Sequence, residues 1–200
     1  YKRQINTMAV CLTPQRFGEL VDLYQGKDDL EHRLIRILHP NSFIDDATRI
    51  LRALRYEQRL GFKLEPETES SLRQNIAMLD TISGDRIRHE LELIFKEKEP
   101  ERVLRRADEL GVLAKLHPAV KGNGWLGEMF TKARQLAQRV PLPVLYLCLF
   151  IYRLTEPESE EFISRLNFPR ASAQAMRHTL KLKAQLPTLT VPGLKPSDIY

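Results

Sequence analysis

Ile44-Asp45-Asp46-Ala47-Thr48-Arg49-Ile50-Leu51-Arg52-Ala53-Leu54-Arg55-Tyr56, closing with Arg59-Leu60-Gly61-Phe62, is the stretch on which the fold turns. Wound at about 100° per residue, it gathers Ala47, Ile50, Leu51 and Leu54 into one apolar sector and Arg49, Arg52, Arg55 and Arg59 into the opposite one. Asp46 and Arg49 stand three residues apart, so their side chains are neighbours on one flank, with Arg52 and Arg55 continuing the row. Two readings of that flank are open. It is a solvated basic face whose arginines pair with nearby acids. Or it is a seat for a nucleotide, in which a carboxylate and a guanidinium meet a base edge while the other arginines face phosphates.

Residues 38–62 resemble the nucleobase-recognition segment of the class II tRNA nucleotidyltransferase and bacterial poly(A) polymerase family. That segment has an acidic pair, two residues, then Arg, Leu-Arg-Ala and Arg-aromatic, and here it reads Asp45-Asp46-Ala47-Thr48-Arg49, Leu51-Arg52-Ala53 and Arg55-Tyr56. Asp45 stands where Glu is more usual, and Ala47 where Pro is. Neither departure removes a recognition group. The resemblance implies that Asp46 and Arg49 pair with the Watson–Crick edge of the incoming base, and that Arg52 and Arg55 line the nucleotide site.

Further segments resemble the same family. Arg3-Gln4-Ile5-Asn6-Thr7-Met8-Ala9-Val10 is similar to a motif of a basic pair and an Asp followed by Ile-Asn and small apolar residues. The Asp is absent, and Arg3 matches the triphosphate-contacting arginine when residues before Ile5 are deleted; otherwise it is an ordinary surface arginine. Asp22, Gly26, Asp29-Leu30 and Ile35-Arg36 stand where the family has a hinge turn, and these acids read as caps rather than ligands. In residues 82–94, Arg86 and Glu90 lie four apart, can pair along a helix, and match residues that brace the recognition helix.

The remainder of the chain is helical by pattern. Proline or a capping residue opens segments at 66–77, from Ser83 to 94, and at 100–110, which Gly111 ends. Residues 113–120 read as an apolar connector and Gly122-Asn123-Gly124 as a loop. Helices are expected over 126–139, 143–154, 159–166 and 172–186. The apolar 144–154 helix belongs in the middle of a small bundle. The expected fold is therefore mainly α: the end of a nucleotidyltransferase α/β head (1–38), a helical neck for base recognition (39–98) and a helical body for tRNA support (99–200). Arg134, Arg139, Arg165, Arg170, Arg177, Lys181 and Lys183 dot that body, and such scattered cations are solvated faces by default.

The 200 residues are 42% hydrophobic with a formal charge of +5, enough for a core and suited to a partner bearing phosphates. Cys11 and Cys148 have no metal or redox spacing, so a reducing, cytoplasmic setting is expected. The apolar run at 144–151 is too short to span a bilayer, and no membrane partner is expected.

The resemblance implies an RNA nucleotidyltransferase that adds CCA or its terminal A to tRNA from ATP and CTP, with Mg2+ as cofactor. Transfer of that kind rests on clustered carboxylates that hold metal ions. The family keeps them in a glycine-rich segment that this sequence lacks, so the chain reads as a fragment that does not itself add nucleotides. Asp45 and Asp46 are rejected as metal ligands because the neighbouring arginines repel a cation. A poly(A) polymerase of the same family and a non-enzymatic helical RNA-binding module are the alternatives; a helical scaffold whose arginines only pair with Glu57 and its neighbours is the blandest.

Overall fold

The structure, a computed structural model, describes residues 8–136 and 141–189. Arg3 and Arg139 lie outside the described residues. The described chain is mainly α, with four short strands near its start.

The strand β1 (Met8–Val10) runs antiparallel to β2 (Leu20–Asp22), pairing Met8 with Asp22 and Val10 with Leu20. Asp22 then caps the helix that follows, as expected. Its carboxylate accepts the amides of Gly26 at 2.8 Å and Lys27 at 2.9 Å, which fixes the start of α1 (Gly26–Glu31) and holds the Asp22 pKa below the ordinary value. Asp29 serves differently from the expected cap: it accepts from Arg36 Nε at 3.0 Å, tying α1 to the end of β3 (Leu34–Ile35). A parallel bridge joins β3 to β4 (Lys63–Leu64).

Between those two strands the expected single helix is broken. It forms α2 (Ser42–Asp45) and α3 (Thr48–Leu60), separated at Asp46, whose backbone is extended at φ −154 and ψ 99. The cause is local competition. Asp46 Oδ1 accepts from the Thr48 amide at 3.0 Å and the Thr48 hydroxyl at 2.7 Å, so the side chain takes a donor at the start of α3 and ends the turn before it. The apolar sector read from the sequence is buried: Ala47, Ile50, Leu51 and Leu54 are at most 1% exposed. Gly61, at φ 65, supplies the left-handed residue that stops α3 and returns the chain to β4.

Helix α4 (Pro66–Gln74) starts on the Glu65 carboxylate, which accepts the amides of Glu67 and Thr68, and it passes into a 3-10 turn at Ile76–Thr81 instead of continuing to residue 77. Next come α5 (Gly84–Ile94) and α6 (Pro100–Glu109). The expected connector is in part a helix, α7 (Val112–Leu116). Gly111 at φ 81 reverses the chain, and Val112, Leu113 and Leu116 then reach the core at helical spacing. The bundle is completed by α8 (Gly124–Leu136), α9 (Leu142–Ile151), α10 (Glu156–Arg165) and α11 (Arg170–Leu189). The apolar α9 packs between α8 and α11, burying Tyr146, Phe150 and Ile151.

Helix α5 holds the two halves together. One side meets α3 through Arg86 and Glu90. The other meets the turn after α10, where Arg88 donates to the Leu166 carbonyl at 3.1 Å and to that of Asn167, and Asp85 accepts from Asn167 Nδ2 at 3.1 Å. The approach is close enough that a Cβ on Gly84 would lie 2.0 Å from the Arg165 carbonyl oxygen. Gly84→Ala is therefore expected to destabilise the chain by about 1–3 kcal/mol, because it pushes on backbone. Gly124→Ala meets nothing within 4 Å and should be neutral or stabilising by up to about 1 kcal/mol. Urea unfolding of the two variants checks both outcomes.

Candidate functional site

The break at Asp46 sets the geometry of the site. Asp46 Oδ1 accepts from the Thr48 amide, from the Thr48 hydroxyl and, at 2.9 Å, from Arg86 Nη2 on α5. No partner of its Oδ2 is found among the described residues. Burial pushes the Asp46 pKa up, but the Thr48 hydrogen bonds and the charges of Arg86 and Arg49 outweigh it, and the carboxyl is held below its ordinary value. Asp46 is thus a fixed anion that can only accept, with one oxygen engaged and the other open.

Arg49 is built the same way. Its Nη1 donates to the Ser42 carbonyl at 2.8 Å, across the break, and its buried Nε has no hydrogen-bond partner among the described residues. A buried donor without an acceptor costs about 1–3 kcal/mol and calls for an explanation, such as a ligand's oxygen or ring nitrogen. Arg49 and Arg52 line a cleft of about 250 Å³ between α1, β3 and α3, whose other walls include Leu30, Ile35, Leu38, Phe43, Ala53 and Tyr56. Asp46 is not among the lining residues; it precedes Arg49 by one turn.

The expected row of arginines divides. Arg52 is half-buried, with Nε 4.0 Å from Glu90 Oε1, and faces the cleft. Arg55, expected to line the nucleotide site beside it, is only 5% exposed and is enclosed instead by Glu90 and Glu97, each at 3.4 Å. Arg59 bonds Glu97 from the surface, and both Arg55 and Arg59 lie over the Tyr56 ring. Burial raises the Glu90 pKa, while Arg55 and Arg52 pull against that rise. Arg86 and Glu90 do not form the expected pair along α5; both reach across to α3, one to Asp46 and the other to Arg52 and Arg55. Glu57 is likewise buried, accepting the Leu64 amide at 3.1 Å and Arg106 Nε at 3.1 Å.

Three groups that matter here escaped the sequence reading. Thr48 had a usable signal, a hydroxyl residue two places after an aspartate at a helix start. Ser42 contributes only a carbonyl, and Glu97 meets Arg55 from 42 residues away, so neither had one. Among the described residues no group of three or more His, Cys, Asp or Glu could hold a metal ion, and no helix is long and apolar enough to cross a membrane.

Two outcomes follow from these contacts. Removing one partner of a buried ion pair leaves the other unpaired, so Arg55→Ala should cost about 3–5 kcal/mol, while exposed Arg59→Ala should cost less than about 1 kcal/mol in urea titrations. The depressed Asp46 pKa adds stability that is complete above the ordinary aspartate value of about 3.9 and is lost as the pH falls through the lowered one. In melts across an acid series, the gap between the parent chain and Asp46→Asn should close as the pH drops.

Residues 61–122 match the family model described as the probable RNA and SrmB-binding site of polymerase A. The A-adding tRNA nucleotidyltransferase of Geobacter sulfurreducens is 43% identical over 122 residues, 59% of this chain and 14% of the relative; that of Aquifex aeolicus is 31% identical over 179 residues, 82% of this chain and 21% of the relative. The Thermotoga maritima CCA-adding enzyme complexed with tRNA superposes with a TM-score of 0.76 at 31% identity, over 98% of this chain and 53% of that one. The chain therefore spans about a fifth or less of these two curated relatives and about half of the solved structure. Over the residues they share, in sequence and in fold alike, the chain belongs to the tRNA nucleotidyltransferase and bacterial poly(A) polymerase family.

Proposed function

We propose that this chain supplies base selection and RNA support to a template-independent RNA nucleotidyltransferase that adds CCA, or its terminal A, to tRNA 3′ ends from CTP and ATP. The observation that carries the reading is the half-engaged pair at the break before α3. Asp46 has Oδ1 pinned and Oδ2 open, and Arg49 has Nη1 pinned, its buried Nε without a partner among the described residues and Nη2 left to donate. Cytosine and adenine each present an exocyclic amino donor beside a ring-nitrogen acceptor. An open carboxylate oxygen accepts from the first, and a guanidinium donates to the second. Guanine and uracil present the reverse at those positions and leave both protein groups unmatched, which is the costly outcome. Arg52 sits in the adjoining cleft, where its charge faces phosphates. Arg55 acts as a positioning residue that holds α3 against α5.

In the reaction, the RNA 3′-hydroxyl oxygen bonds to the nucleotide α-phosphorus, the hydroxyl proton leaves, and the bond to pyrophosphate breaks. The described residues do not fit the Mg2+ that such a transfer uses. Asp46 lies beside Arg49 and Arg86, which disfavour a cation there, and Asp45 lies 3.6 Å from the His39 ring nitrogen. We assign the metal to carboxylates outside the described residues and derive no step through it. On the same reading, residues 1–38 close a catalytic head, 39–98 form the neck and 99–200 the body. Cys11 and Cys148, both free, suit the reducing cytoplasm. The match to polymerase A favours one second reading, a poly(A) polymerase with the same base-reading pair. Sequencing the products formed on tRNAs ending before, within and after CC separates the two.

Introduced into a complete enzyme carrying this segment, Asp46→Ala should lower the preference for CTP and ATP over UTP and GTP by roughly tenfold to a hundredfold, the worth of a charged hydrogen bond of about 1.5–3 kcal/mol. tRNA affinity should stay near the parent value in filter binding. Unchanged nucleotide choice contradicts the reading. The 200-residue chain alone should not extend tRNA when given nucleotides and Mg2+.

A further inference from the structure

Most arginines of the helical body are neutralised within the molecule. Arg134 pairs with Glu101, Arg165 with Asp80 and Arg177 with Glu160. Among the described residues Arg105, Arg170 and Arg153 are exceptions, and Arg153 stands apart by its place over an aromatic ring. It is exposed just past the end of α9, no acidic partner of it is found among the described residues, and its guanidinium carbon sits 4.2 Å from the centroid of the Trp125 ring at the start of α8. Trp125 in turn stacks on Tyr152, with centroids 5.9 Å apart and planes 25° from parallel. The Lys183 ammonium of α11 donates to the Tyr152 carbonyl at 2.7 Å and lies 5.1 Å over the Tyr152 ring. The Lys183 charge also acts on Glu158, whose Oε2 accepts from the Thr155 amide and hydroxyl in the capping box of α10.

Three helices thus bring two cations to one place and hold each against an aromatic face. A ring face fixes a cation without cancelling its charge, as a carboxylate would. The donors stay available, and the side chains are already ordered before any ligand arrives. An acidic protein segment would find charge here, but only a nucleic acid combines phosphates with flat bases that match the neighbouring rings.

The geometry points to Trp125, Tyr152, Arg153 and Lys183 as a second RNA-binding site in the helical body, in which Arg153 and Lys183 hold backbone phosphates beside an aromatic platform. The site lies outside residues 61–122, which the polymerase A model covers, and far along the chain from Asp46 and Arg49. It rests on the reading that the chain serves an RNA substrate, and not on which nucleotide is added.

Trp125 is the single tryptophan of the chain, so its fluorescence reports on this place alone. The 200-residue chain is titrated with an RNA hairpin bearing a single-stranded 3′ end, across a salt series. The parent should bind with a Trp125 fluorescence change and an affinity that falls steeply with salt. The double variant Arg153→Gln, Lys183→Gln should bind more weakly, with the plot of log affinity against log salt shallower by about 1 for each phosphate that is no longer held. Arg177→Ala, whose arginine already pairs with Glu160, should match the parent. Circular dichroism confirms folding, and Arg153→Gln alone, at an exposed position, serves as the second variant, with a slope reduced by about 1. If parent and Gln variants bind RNA with equal affinity and equal salt dependence, the site is wrong while the functional reading stands. If the parent fails to bind RNA, both fall. If a polyglutamate peptide displaces the hairpin from the parent at comparable phosphate and carboxylate concentrations, the assignment to RNA is overturned.

Discussion

A buried guanidinium must have its counter-charge built in, and Arg55 is where this molecule meets that constraint. It lies inside the contact between α3 and α5, with Glu90 on one side and Glu97 on the other. Desolvating three charges is expensive, and good mutual geometry only offsets the cost, so the network adds less to stability than to register. Arg55 can reach both carboxylates at once only when α3 lies at one height and one rotation against α5. Apolar contacts among Ile50, Leu54, Leu91 and Ile94 tolerate small slips; this network does not.

That register is what makes the break at Asp46 useful. Two turns before Arg55, the same α5 presents Arg86 to the Asp46 carboxylate, and Thr48 closes on the same oxygen. Arg49 reaches back over the gap to Ser42, so α2 and α3 are stapled across the very residue that separates them. An acceptor and a donor are held at fixed spacing with part of each left over. The opposite side of α5 grips the turn after α10 through Arg88 and Asp85, which makes one helix the common support of the proposed base-reading pair and of the body that carries the aromatic-cation cluster.

How much of this was legible beforehand depended on distance along the chain. Period alone identified the buried stripe of Ala47, Ile50, Leu51 and Leu54, because burial of a helix face is written at every third or fourth residue. Period could not reveal that the helix stops at Asp46: a carboxylate competing for a backbone amide leaves the apolar pattern intact. Nor could it separate Arg52 from Arg55. Both sit on the polar side, and what buries one is a pair of glutamates 35 and 42 residues further on. Arg86 and Glu90 were visible as a pair but were assigned to each other, since four-residue spacing favours it. Tertiary charges on α3 override that local choice. Arg3, in a segment outside the described residues, stays an expectation. The Arg153 site had no signal at all, because it is assembled from the ends of α8 and α9 and the middle of α11.

The central claim is that the open groups of Asp46 and Arg49 meet a base edge, and arginine side-chain resonances test it most directly. In a complete enzyme labelled with nitrogen-15 at arginine, the Arg49 Nε–H signal is followed while CTP, ATP, UTP and GTP are added in turn. The account predicts that CTP and ATP move this signal downfield and that UTP and GTP leave it in place. An Arg49 signal that ignores all four nucleotides, or answers all four alike, contradicts it.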